Sequence, residues 1–232
     1  MKKFVTYIKN DRFAVGTTGK TIHVFGETGK RIAEFRDLTY AYTAAFTPSG
    51  DKLIVKSTDG MLALYSLSEL QLIKKLRFGS APQDGGFCFS QDGTQFLNVA
   101  VYENPRSYDI KAYSVDVLSE IGTVFSSDEF GVFDIECGDD GEYYVLGNGN
   151  EAFVGIIKDG KLAEKYSLTF EQSTLYIDAL RLRRTGYTME CYKSTFAATG
   201  IFPGSLSLDG FVNADLTLKK LFDEHKTGKQ FE

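Results

Sequence analysis

A phrase that returns along the chain sets the strongest limit on how it can fold. Phe46-Thr-Pro-Ser-Gly-Asp-Lys-Leu-Ile-Val55 is followed by a second half, Ser57-Thr-Asp-Gly-Met-Leu-Ala-Leu-Tyr-Ser66. Phe89-Ser-Gln-Asp-Gly-Thr-Gln-Phe-Leu97 and Cys137-Gly-Asp-Asp-Gly-Glu-Tyr-Tyr-Val145 repeat the first half. The turn glycines Gly50, Gly93, Gly141 and Gly186 are 43, 48 and 45 residues apart. A period in the forties, built from strand-length pieces, predicts one propeller blade per repeat. The glycines themselves read as punctuation, because tight turns need the positive φ that glycine tolerates.

Each repeat divides into short alternating runs joined by turn residues, the mark of consecutive hairpins. The first repeat predicts strands over 4–8, 12–16, 21–25 and 31–35. The second predicts 42–46, 52–57, 61–66 and 70–76, and the third 86–89, 95–101, 109–115 and 118–125. The fourth predicts 132–137, 142–147, 152–158 and 161–168. Thr28-Gly-Lys-Arg-Ile-Ala-Glu-Phe35 parallels Asp159-Gly-Lys-Leu-Ala-Glu-Lys-Tyr166, which fixes the register of both as the turn into an outer strand. A fifth unit opens with strands over 176–183 and 187–194, continues through a patternless loop, 195–204, and closes on 205–208 and 211–216. One blade cannot cover both faces of its own sheet, so blades must stack. The expectation is therefore an all-β chain: a single β-propeller domain, 4–216, of about five four-stranded blades. The alternative is an incomplete propeller completed by a partner. Residues 217–232 form a tail, and a short helix over 215–225 would give Leu216, Leu218, Leu221 and Phe222 a ragged apolar face.

Phe46-Thr-Pro-Ser-Gly-Asp-Lys-Leu and Asp59-Gly-Met-Leu-Ala-Leu-Tyr-Ser-Leu67 resemble the WD40 / YVTN-type β-propeller repeat superfamily, over roughly residues 4–194. The family form runs from an aromatic, Ser, Pro, Asp and Gly into a strand, then Asp-Gly and a strand ending near Trp-Asp. Here Tyr65-Ser66 stands in that last place, the chain has no Trp, and no Gly-His pair occurs. The Asp–His–Ser/Thr–Trp network of WD40 blades is therefore absent. The resemblance implies a ring of blades whose rim loops bind other proteins. Five-bladed propellers also include lectins and glycosidases, so carbohydrate binding or cleavage is the second functional class. The lack of Trp, the ring that most often stacks on sugars, argues against it. A bacterial toxin-neutralising or regulatory partner is a third.

Composition narrows the classes further. A net charge of −5 disfavours non-specific nucleic-acid binding. No apolar run reaches membrane-span length, and Met1-Lys-Lys-Phe-Val-Thr-Tyr-Ile8 alternates like a strand where a signal peptide would carry an apolar core. The cysteines Cys88, Cys137 and Cys191 are odd in number and have apolar or strand-like neighbours, which reads as buried thiols in a reducing compartment. The expected location is cytoplasmic.

Catalytic chemistry is not written into the residues. The two histidines, His23 and His225, form no pair with metal-ligand spacing. No G-x-S-x-G accompanies them, and Gly147-Asn-Gly-Asn150 has no Lys-Ser/Thr behind it to make a phosphate loop. Carboxylates at Asp84, Asp128, Glu129 and Asp178 would converge near a ring axis, where such groups cleave glycosides or hold Ca²⁺. The basic cluster at Arg181, Arg183 and Arg184 reads as pairing with neighbouring acids. We read the chain as a non-enzyme without cofactor or metal.

Loops outside the repeat carry binding. In a propeller, the crossing from one blade to the next shares a face with the loop between second and third strands. The candidate partner-binding residues on that face are Tyr40, Tyr42, Gln83, Asp84, Tyr102, Arg106, Asp128, Glu129 and Phe130. Tyrosines there supply rigid contact area with a polar tip. The expected partner is a protein, with no nucleic acid and no membrane.

Overall fold

The structure, a computed structural model, describes residues 2–8, 12–17, 20–26, 28–79, 86–138, 141–148, 152–167, 180–185 and 188–193. Within them the chain is all-β. β1 (Lys2–Ile8), β2 (Arg12–Thr17), β3 (Ile22–Phe25) and β4 (Arg31–Phe35) form a first antiparallel sheet in sequence order. β5 (Ala41–Phe46), β6 (Lys52–Ser57), β7 (Met61–Ser66) and β8 (Gln71–Arg77) form a second. β9 (Phe87–Phe89), β10 (Gln95–Glu103), β11 (Arg106–Ser114) and β12 (Glu120–Ser127) form a third. β13 (Gly131–Cys137), β14 (Tyr143–Asn148), β15 (Ala152–Lys158) and β16 (Lys161–Ser167) form a fourth. β17 (Leu180–Thr185) and β18 (Thr188–Lys193) pair as a hairpin. The expected loop 195–204, the strands over 205–216 and the tail lie outside the described residues.

The recurring phrase is a turn with a hydroxyl at its heart. Gly50 donates its N–H to Thr47 O (2.8 Å) at φ 76°, and Thr47 Oγ1 accepts the Lys52 N–H (3.2 Å). The next copy repeats the arrangement. Gly93 donates to Ser90 O (2.9 Å) at φ 71°, and Ser90 Oγ accepts the Gln95 N–H (2.9 Å). The third copy has Gly138 at the hydroxyl position, and its backbone closes from Gly138 N to Glu142 O at 2.8 Å. Asp51 and Asp92 accept from the Ser49 and Ser90 hydroxyls, which completes each turn.

Alternation then assigns the faces. In β6, Leu53 and Val55 pack against the first sheet with Ala14, Ile22, Val24 and Phe35, where Phe35 stacks on Tyr65 at 4.2 Å. Ile54, on the other face of the same strand, joins Leu64, Phe96, Ala100 and Tyr113 between second and third sheets. Leu97, Val99 and Val101 face the fourth sheet with Ile135, Val145 and Phe153. A strand buried on both faces reads as a continuous apolar run. Each such Leu, Ile or Phe contributes about 1.5–3 kcal/mol through burial.

One expected loop is different in the structure. Residues 102–108 are the tip of a tight hairpin, since β10 continues to Glu103 and β11 begins at Arg106. Only Asn104 and Pro105 lie between, paired through Glu103 and Arg106.

Candidate interaction face

The turns and crossings divide into two rims. On one, the β6–β7 turn, the crossings between sheets and the β10–β11 tip meet. Thr58 donates its N–H to Tyr40 O (3.2 Å), and Phe78 donates to Gly60 O (2.8 Å). Arg77 Nη1 donates to Asp59 O (2.9 Å), and Tyr102 Oη donates to Phe78 O (3.0 Å). These bonds join the 1–2 crossing, the second sheet, the 2–3 crossing and the third sheet along one edge. Asp37, Asp59, Glu103, Asp128 and Glu129 are exposed here beside Arg36, Lys75, Arg77 and Arg106, and Lys75 Nζ donates to Asp37 O (3.1 Å), so the rim is of mixed charge.

Beneath the rim lies a buried polar floor. Gly86 and Val99 face each other where β9 and β10 would continue their ladder. Val99 donates its N–H to Gly86 O (3.2 Å), but Gly86 turns its own N–H to Phe133 O of the fourth sheet (2.7 Å). Val99 O thereby loses its ladder donor. Lys56 supplies the replacement: its Nζ donates to Val99 O at 2.9 Å and stands 4.7 Å from the centre of the Phe78 ring. Lys56 is 0% exposed, a burial that a lysine reaches only when its ammonium is satisfied. Asn98 is also fully buried, and its Oδ1 and Nδ2 meet no hydrogen-bond partner among the described residues. Lys111, opposite Asn98 in the ladder, donates to Glu120 Oε1 (3.0 Å) and covers the Tyr102 ring. Burial alone would lower its pKa, yet bonding to Tyr102 and Glu120 raises it.

The structure distributes the sequence-derived candidates unevenly. Tyr40 is 52% exposed at the rim and holds φ 53°. Asp128 and Glu129 are exposed in the β12–β13 crossing, where Ser127 Oγ accepts the N–H groups of Glu129 (3.2 Å) and Phe130 (3.3 Å). Phe130 turns inward, stacked on Phe125 (5.9 Å) and edge-on to Phe153 (5.1 Å), so its ring serves the core. Tyr102 is partly buried, and its hydroxyl is spent on Phe78 O. Arg106 is exposed, with Nη2 donating to Tyr108 Oη (2.6 Å). Both belong to strand ends instead of a free loop. Tyr42 lies in β5, with its side chain outside the described residues, as are Gln83, Asp84 and Asp178. His23 sits in β3 with Nδ1 3.4 Å from Glu34 Oε2. Among the described residues, no group of three or more His, Cys, Asp or Glu side chains is placed to hold a metal ion. No helix among them is long and apolar enough to cross a membrane.

Lys56 and Asn98 were absent from the sequence candidates. A signal existed: Ile54-x-Lys56 and Phe96-x-Asn98-x-Ala100 place both on a buried strand face by simple alternation. The approach of Cys88 to Cys137, 3.2 Å between Sγ atoms, was equally unread. Both cysteines stand in the first strands of successive sheets.

No family model and no curated protein matches the sequence. The fold does have solved counterparts. A chain of Kuenenia stuttgartiensis hydrazine synthase superposes with a TM-score of 0.65 at 15% identity, covering 83% of this chain and 55% of that one. This chain thus spans about half the length of that neighbour, and at such identity the likeness concerns fold alone. In all, 1303 solved chains match, and a fold so widely used selects no chemistry by itself.

Proposed function

We propose that the chain is a β-propeller of about five blades that binds a protein partner through the crossing-side rim and catalyses no reaction. Serial four-stranded meanders packed face to face support the propeller reading. Tyr40 carries the binding reading. A bulky residue at positive φ costs about 1–2 kcal/mol, and this one also leaves half of an aromatic ring in water. The φ serves the fold, since Tyr40 O accepts the Thr58 N–H and Leu70 of the opposite rim holds nearly the same φ at the same exposure. What supports docking is the half-exposed aromatic ring with its polar tip. The charges of both signs around it favour a partner with a complementary polar surface. The protein acts in the cytoplasm.

The test is affinity capture with wild type, a Tyr40→Ala/Asp128→Ala/Glu129→Ala variant, and Glu69→Ala in the β7–β8 turn of the opposite rim. A protein retained by wild type and Glu69→Ala, and lost with the triple variant, supports the reading. Equal retention by all three folded proteins would sink it.

A further inference from the structure

We infer that Cys88 and Cys137 are a disulfide-forming pair, a covalent modification site that clasps the third and fourth sheets together. Cys88 lies in β9 and Cys137 in β13, the first strands of neighbouring sheets. Their Sγ atoms are 3.2 Å apart, and both residues are buried, at 5% and 7% exposure. Closing to the bonded distance of about 2.05 Å asks for roughly 1 Å of movement, within reach of side-chain torsion. The strands that carry them are already tied nearby by the Gly86 N–H to Phe133 O bond at 2.7 Å. Both cysteines belong to one hydrophobic cluster with Val99, Ile135 and Val145, against which Tyr143 packs.

The chemistry closes with an organic disulfide, such as oxidised glutathione, as oxidant. One cysteine thiolate attacks it, breaking its S–S bond and releasing one thiol. The second cysteine then attacks the mixed disulfide, forming the internal S–S bond and releasing the other thiol. Two thiol protons leave the protein and two electrons pass to the oxidant. Burial pushes the Cys88 thiol up from its ordinary value, and the contact with Cys137 pushes it further. The folded protein therefore reacts slowly, and the bond forms fastest while the strands are still exposed during folding. Once formed it resists reduction for the same reason. Oxidation then marks the chain made under oxidising stress and leaves the resting pool as thiols.

The experiment refolds the full chain, and a Cys191→Ser variant, from denaturant in a glutathione redox buffer. Mass, thiol titration and peptide mapping are then read on the folded fraction. The inference expects a loss of two mass units, a fall from three reactive thiols to one in the wild type, and a peptide joining Cys88 to Cys137. It expects a melting temperature about 5–10 °C above that of the reduced protein, and no such shift in Cys88→Ser. Folded protein that keeps all its thiols, or a link running to Cys191, overturns it. Where the chain does not refold, native protein is incubated for long periods with oxidised glutathione near its melting temperature. The same mass, thiol count and linked peptide then decide the matter in the same way.

Discussion

Gly86→Ala puts the floor beneath the rim to the test. A Cβ built at Gly86 would collide with Asp134 Oδ1 and sit 2.9 Å from both Cγ and Cα of Asp134. The side chain of Asp134 can swing, but its Cα cannot, so the Gly86 backbone must move. Overpacking of this kind costs about 1–3 kcal/mol. The displaced segment also holds two backbone bonds, Gly86 N to Phe133 O at 2.7 Å and Val99 N to Gly86 O at 3.2 Å. Losing each costs about 1 kcal/mol. The expected destabilisation is about 3–5 kcal/mol, measured as the shift in urea midpoint at constant slope. A single domain has about 5–15 kcal/mol to lose, so the shift is readable wherever the wild type has more than about 5 kcal/mol. Gly122→Ala is the control. Nothing lies within 4 Å of its new Cβ and its φ is ordinary, so it should gain about 0.4–1 kcal/mol. Asp134→Ala in the Gly86→Ala background removes the Oδ1 and Cγ collisions and leaves the backbone clash in place. A double-mutant cycle should therefore return a coupling energy of about 1–2 kcal/mol. A Gly86→Ala protein within about 0.5 kcal/mol of wild type, or a cycle with no coupling, would refute the close approach of third and fourth sheets at this point.

Three further outcomes follow from the same geometry. Tyr40→Gly should stabilise the fold by up to about 1 kcal/mol through relief of its φ of 53°, while weakening partner capture; a loss of stability would show that the ring serves packing. Lys56→Met keeps the volume but leaves Val99 O without the Nζ donor at 2.9 Å, so it should cost about 1.5–3 kcal/mol in denaturant melts, and an unchanged midpoint would remove Lys56 from the floor. Asp51 is held at a pKa of about 2, below its ordinary 3.8: the Ser49 hydroxyl lowers it most, burial opposes this as the next-largest effect, and the Lys52 ammonium and Thr47 hydroxyl lower it further. A depressed carboxylate stabilises above the unfolded value and loses that contribution as pH falls through the folded one. Asp51→Asn should therefore be less stable than wild type at pH 7 by less than about 1 kcal/mol, since half the side chain is in water, and the gap should close between about pH 4 and pH 2. A gap that persists at about pH 2 would assign the turn's stability to something other than this charge.

Most of the fold was legible because its signals are local. Period-2 alternation placed sixteen strands in four sheets within about two residues of their observed ends, apart from β11 at its start, and the hydroxyl–glycine phrase placed their turns. The error at 102–108 has the same root. Tyr102-Glu-Asn-Pro-Arg-Ser-Tyr108 carries loop-forming residues, and composition suggested seven residues of loop. The ladder extends because Tyr102 Oη reaches Phe78 O and Tyr108 is buried against Phe133, two contacts made across sheets. The candidate site fared less evenly for a related reason. Tyr40 and Asp128 stand where the repeat stops, so their exposure could be inferred from position alone. Phe130 occupies the same crossing as Asp128, yet its ring is drawn inward by Phe125 and Phe153, which belong to different sheets. No one-dimensional pattern separates a rim aromatic that faces water from one that plugs the core.

The buried polar groups mark the limit most clearly. Alternation put Lys56 on a buried face, and the usual inference would be a strand end or a snorkelling side chain. What makes burial tolerable is a carbonyl orphaned forty-three residues away, when Gly86 leaves its own ladder for the fourth sheet. That orphan arises from how three sheets meet, so it exists only after they are assembled. The same holds for the two sulfurs, which approach because successive units place their first strands side by side. A repeat therefore predicts its own architecture well and its function poorly. The repeated residues build the sheets, and the distinctive chemistry gathers at the seams, where Lys56, Asn98, Gly86 and the cysteine pair answer to neighbours outside their own unit.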